Sequence, residues 1–218
     1  MTKSAFRSPR FPRPNQEAHP PMAHTFFAYI ARMKYIGRWV LMRNTVPENI
    51  QEHSHMVAVL AHALAVIRRD QFGGDIDPGR VAAVALYHDA PEIFTGDLPT
   101  PVKYANPAIQ SAYKAVEHDA ARRLTALLPN SLRPAFAALL EEEDPAVTEL
   151  VKAADKLSAH LKCLEELKAG NREFQSAAQQ TLAALKNYHL PELDYFLAEF
   201  LPAFSLTLDE LQDQSRQD

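Results

Sequence analysis

Apolar residues in this chain recur at intervals of three and four almost throughout, with no sustained alternation of period two. A helix returns a side chain to the same face about every 3.6 residues, whereas a half-buried strand alternates, so this pattern directs the chain to an all-α fold. The clearest stripe is His53, Val57, Leu60, Leu64 and Ile67. It predicts a helix that begins within 48–52 and runs to about Asp70, with Gly73 and Gly74 ending it.

The same reasoning predicts a first helix over 23–36, with Phe26, Ile30 and Met33 inward and Gly37 as its stop. Asp77 caps a further helix with Pro78 in its first turn, and Val81, Ala85 and His88 share one face. Pro91 cannot donate to the carbonyl of Tyr87, so that helix bends or stops there. Thr95 to Pro101 reads as a rigid loop. Asn106 and Pro107 open a helix toward Leu128, and Ser131 to about Glu142 forms another. Asp144 and Pro145 start a helix that reaches Gly170, and two or three more fill 173–212.

A chain of 218 residues accommodates one substantial core with short appendages. Residues 1–22 hold five of the 16 prolines and four basic residues (Lys3, Arg7, Arg10, Arg13) against Glu17. They read as a disordered extension without the apolar run of a secretory signal, ahead of a domain over 23–212 and a C-terminal tail over 213–218. The net charge of -4 then divides into +3 for the extension and -7 for the rest. An acidic body argues against a nucleic-acid duplex as partner, and no apolar run approaches the roughly 20 residues of a membrane-spanning helix. The single cysteine, Cys163, excludes an intrachain disulfide and fits a cytoplasmic setting. Its neighbours mark it as a core residue rather than a nucleophile. The six glycines form neither a Walker loop nor a dinucleotide-binding turn.

Chemistry concentrates in His53 of Glu52-His53-Ser54-His55, the pair His88-Asp89, and Asp155 of Lys152-Ala153-Ala154-Asp155. Both imidazoles continue apolar stripes, and Asp155 borders the stripe of Val147, Leu150, Ala154 and Leu161. Taken singly, each has an ordinary explanation: a hydrogen-bonded core histidine, a cap, a solvated acid. Together they place two imidazoles and two carboxylates near the core on three helices, a costly arrangement that a divalent cation resolves. Two nitrogen and two oxygen donors suit Co, Mn, Fe or Zn, with positions left for water and phosphate.

These residues, with Arg38-Trp39-Val40-Leu41-Met42-Arg43-Asn44, Tyr87-His88-Asp89-Ala90-Pro91-Glu92 and Thr95-Gly96-Asp97-Leu98-Pro99-Thr100-Pro101, make the chain resemble the HD-domain superfamily of metal-dependent phosphohydrolases. Over 23–212 it is most similar to the bacterial HD-domain 5′-deoxynucleotidases. The resemblance implies a single helical HD-domain bundle and hydrolysis of deoxynucleoside 5′-monophosphates. It implies His53, His88, Asp89 and Asp155 as ligands of one divalent transition metal per subunit, and Glu92 as a catalytic carboxylate that accepts a proton from, or orients, the attacking water. Asp97 becomes either a proton donor to the leaving 5′ oxygen or a partner of the sugar hydroxyl. The substrate-binding set implied is Arg38, Trp39, His53, Asp97, Leu98, Pro99, Thr100 and Asp155, with Trp39 crowding the sugar 2′ position. A homodimer is implied as well.

Two departures from the family pattern stand out: the N-terminal extension, and Pro91, which interrupts the segment leading to Glu92. Of the remaining histidines, His55 and His62 lie on a different face from His53, and His118, His160 and His189 have no matching partners. The alternative readings are another HD phosphohydrolase, acting on a nucleoside triphosphate, cyclic nucleotide or alarmone, and a regulatory module that keeps the metal without turnover.

Overall fold

Asn49, Asp77, Asn106 and Asp144 each turn a side-chain oxygen onto the first free N–H groups of the helix that follows. These caps satisfy donors that the helix cannot pair itself, and proline follows three of them at 78, 107 and 145, where its missing N–H costs nothing. The helices so opened are α2 (Ile50–Phe72), α3 (Pro78–Tyr87), α6 (Pro107–Ala126) and α8 (Pro145–Lys168). The computed structural model describes residues 24–103 and 105–214; the expected extension of 1–22 lies outside them.

Between these helices run α1 (Phe26–Ile30), α4 (Glu92–Thr95), α5 (Thr100–Lys103) and α7 (Arg133–Leu140). After them come α9 (Gln175–Lys186), α10 (Pro191–Glu199) and α11 (Leu208–Gln214), which carries the first two positions of the expected C-terminal tail. No β-strand occurs among the described residues; the one β-bridge joins Gly37 to Asn49. No described helix is long and apolar enough to cross a membrane.

α2 is the central element. It packs against α3, α8 and α10, and α8 in turn carries α9. The expected stripe is buried in full, from His53 and Val57 to Leu60, Leu64 and Ile67. It meets Val81 and Ala85 of α3 and Leu150, Ala154 and Leu157 of α8 in the main core. Cys163 lies in a separate small cluster with Phe174 and Ala178, and burial pushes its thiol up to about 11, as befits an inert core residue.

Two expected elements differ. The helix predicted over 23–36 stops at Ile30 and resumes as a 3₁₀ turn over Met33–Tyr35. Thr25 supplies no side-chain cap, and the N–H groups of Arg32, Tyr35 and Ile36 bond three residues back rather than four. Phe26 and Met33 are nonetheless both buried. The loop predicted over Thr95 to Pro101 is shorter, because α4 includes Thr95 and α5 begins at Thr100.

Candidate metal and substrate site

His53 stands in the first turn of α2, His88 caps the end of α3, and Asp155 lies midway along α8. The packing of these three helices brings their side chains together. Ligand atoms of His53, His88 and Asp89 all lie within 4.8 Å of one another. His53 Nε2 is 3.0 Å from Asp155 Oδ1 and 3.7 Å from Asp89 Oδ2.

Both imidazoles are held from behind. His88 Nδ1 donates to the carbonyl of Ala85 at 2.7 Å, so Nε2 carries the lone pair and faces the cluster. That Nε2 is buried and lacks a hydrogen-bond partner, although Asp89 Oδ1 lies 3.2 Å away. His53 Nδ1 meets Ser158 Oγ at 3.1 Å. Ser158 sits three residues beyond Asp155, on the same face of α8.

Pro91 ends α3 in a way that serves the site. The Tyr87 carbonyl, which Pro91 cannot satisfy, accepts from Ala90 N–H instead, and the N–H groups of Glu92, Ile93 and Phe94 likewise bond three residues back, to Asp89, Ala90 and Pro91. Glu92 is therefore not on a continuous helix with His88, yet it turns inward and is only 5% exposed. Burial, with Asp89 and Asp97 adding their negative charge, pushes its carboxyl up to about 10, and its Oε2 has no partner. Asp97 is raised in the same way, by burial first and then by Asp89, against the pull of Arg38. Burial works against ionisation of Asp155 too, but the hydrogen bond from His53, the imidazoles and Arg38 outweigh it and hold that carboxyl far below the ordinary range.

Arg38 reaches the same cluster, with Nη1 3.4 Å from Asp89 Oδ2. Trp39 follows it with its indole 5.3 Å from the ring of Phe174. Leu98 and Pro99 are half-buried beyond Asp97, and Thr100 is exposed at the start of α5. Gly96 permits this turn with a φ of 72°, and Tyr113 of α6 pins it by donating to the Gly96 carbonyl at 3.1 Å. His160 is buried elsewhere, bonded to Thr181, and His55 and His62 are exposed on α2.

Sequence reasoning missed the supports. Glu48 bonds both Arg38 and Trp39. Glu166 accepts from the N–H groups of Thr45 and Val46, and Lys162 donates to Glu166 and the Val46 carbonyl. Lys162 and Glu166, four apart on α8, resemble an ordinary surface pair in sequence but are 5% and 1% exposed.

The donor set fits a divalent cation. Glu48, Asp89, Glu92, Asp97 and Asp155 crowd around Arg38, while Lys103, the next cation, is paired with Glu117. A bare, buried imidazole nitrogen on His88, beside the carboxylates of Asp89 and Asp155, is what a metal would satisfy.

A helical bundle with an imidazole on one helix, a His-Asp pair at the end of the next and an aspartate on a third defines an HD-domain phosphohydrolase. The HD-domain phosphohydrolase of Listeria innocua shares the fold with a TM-score of 0.73 and 25% identity, covering 83% of this chain and 88% of that one. A cyanophage S-2L HD phosphohydrolase, bound to dA and one catalytic Zn2+ ion, has a TM-score of 0.60 at 22% identity and covers 83% and 96%. Within this class the chain belongs to the 5′-deoxynucleotidase YfbR-like family, whose model matches residues 25–204. The 5′-deoxynucleotidase of Cronobacter sakazakii is 52% identical over 192 residues, 87% of this chain and 96% of that protein.

Proposed function

We propose that this protein hydrolyses deoxyribonucleoside 5′-monophosphates to deoxynucleoside and phosphate. One observation carries the reading: His53, His88 and Asp89 converge within 4.8 Å, beside an arginine able to take a phosphate. The similarity to relatives named 5′-deoxynucleotidase supports the substrate class.

In this reading His53, His88, Asp89 and Asp155 hold one divalent cation per subunit, of which Mn, Fe, Co and Zn suit the mixed donors. Such a cation would supply a more acidic water, polarise the phosphoryl oxygens and draw Glu92 toward its charged form. Arg38 grips phosphate oxygens, and Trp39 walls the sugar together with Leu98, Pro99 and Thr100. Glu92 orients the attacking water and accepts its proton. The water oxygen bonds to phosphorus, the bond from phosphorus to O5′ breaks, and Asp97, which burial inclines to keep a proton, delivers one to O5′.

The cell compartment is the cytoplasm, where a lone buried thiol such as Cys163 stays reduced. Two copies associate as a homodimer. Metal-stripped protein reconstituted with Mn, Co, Zn or Mg and assayed for phosphate release tests the reading. Release from dAMP well above AMP is expected; equal rates or a preference for AMP would overturn it.

A further inference from the structure

Trp39 has a φ of 57°, in the left-handed region where a side chain strains the backbone. Such strain persists only where the surroundings enforce it. Here the Trp39 carbonyl accepts from Met42 N–H at 2.9 Å and from Asn44 Nδ2 at 3.3 Å, which fixes the backbone. The indole is fixed separately, by Glu48. Its Oε2 accepts from Trp39 Nε1 and from Arg38 Nε, each at 3.0 Å, and its backbone carbonyl accepts from Arg38 N–H at 2.9 Å.

A carboxylate is a poor choice electrostatically at this place. It adds negative charge beside Asp89 and Asp155, where an anionic phosphate must approach, and it partly neutralises the arginine available to receive that phosphate. Its compensation is geometric, since one oxygen aligns two neighbouring side chains that point to different parts of a nucleotide. We propose that Glu48 is a positioning residue that sets sugar selection, holding the Trp39 indole at the sugar and the Arg38 guanidinium at the phosphate in fixed relation. The proposal rests on the deoxynucleotidase reading for its substrate, but the position of the indole can be measured without it.

Trp39 is the only tryptophan of the chain, so intrinsic fluorescence reports its surroundings directly. The variants are Glu48→Ala, Glu48→Gln and Glu48→Asp, measured as full-length protein by emission, acrylamide quenching, and kcat and KM on dAMP and AMP. Glu48→Ala removes the acceptor; its emission moves to longer wavelength, quenching rises, and the dAMP-to-AMP ratio of kcat/KM falls on the order of tenfold. Glu48→Gln keeps an oxygen within reach and retains both the spectrum and the ratio. Glu48→Asp keeps the charge but withdraws the oxygen by a methylene, so it follows Ala in direction and serves if Ala fails to fold. A purely structural role would lower kcat/KM on both nucleotides alike. Wild-type emission and an unchanged ratio in Glu48→Ala or Glu48→Asp would overturn the proposal. Equal wild-type rates on dAMP and AMP would remove the deoxynucleotide reading instead, while the spectra still decide whether Glu48 holds the indole.

Discussion

Glu92 is the residue whose surroundings depart furthest from its ordinary chemistry. Its carboxyl is raised from about 4.5 when free to about 10 in the metal-free fold, so between those values the folded chain holds a proton that the unfolded chain releases. The unfolded state then binds fewer protons, and stability falls as pH rises. Metal-free protein is expected to lose melting temperature steadily from pH 5 to pH 9. Glu92→Gln, which stays neutral, should flatten that slope, and thermal melts across the range check it. The same substitution should lower kcat about a hundredfold or more with metal content intact, since a glutamine cannot accept the proton of the attacking water. Its role was readable from the sequence only through the resemblance. Four residues would return it to the face of His88 only on a continuous helix, which Pro91 precludes; a run of bonds three residues back carries it inward instead.

The long helices carry their boundaries in sequence, because a capping side chain and a proline act on adjacent residues. Asp77, Asn106 and Asp144 all perform as their positions suggest. Asn49 has no proline after it to mark it as a cap, yet it caps α2 by accepting from both Gln51 and Glu52 N–H groups. His53 lies only four positions beyond that cap, whereas Asp155 lies eleven beyond Asp144. Asn49→Ala and Asp144→Ala should each cost about 1 kcal/mol in denaturant unfolding. Fraying is confined to the first turn, so only Asn49→Ala should also weaken metal binding in a titration; equal losses in both would show that the cap does not steady His53. The broken first helix was less legible. Phe26 and Met33, seven apart, return to one face whether or not the helix continues between them, and the pattern cannot register a change from bonds four residues back to bonds three back.

At the scale of the whole molecule, what sequence pattern conceals is contact between distant segments. Ser158 behind His53, Glu48 beneath Arg38 and Trp39, and the Glu166 clamp on 45–46 each join residues that no periodicity relates. The outer surface raises the complementary question of what the molecule itself contacts. Phe27 on α1 and Leu86 on α3 are 57% and 45% exposed, yet they line one groove with Ile30, Met33 and Tyr87. His55 borders it, and Val59, exposed one turn along the same face of α2, extends the apolar surface outward. Scattered exposed apolar residues are normal in a soluble chain, whereas a cluster of them is where the proposed homodimer would bury apolar area. If the proposed homodimer forms over this surface, Leu86→Glu would bury a carboxylate opposite an apolar face in both subunits, while in a monomer the same side chain would remain in water at little cost. Sedimentation at micromolar concentration should therefore find a dimer for the wild type and a monomer for Leu86→Glu, with the helical circular dichroism of both unchanged. A wild-type monomer, or a Leu86→Glu dimer as tight as the wild type, would show that the groove is not where two copies meet.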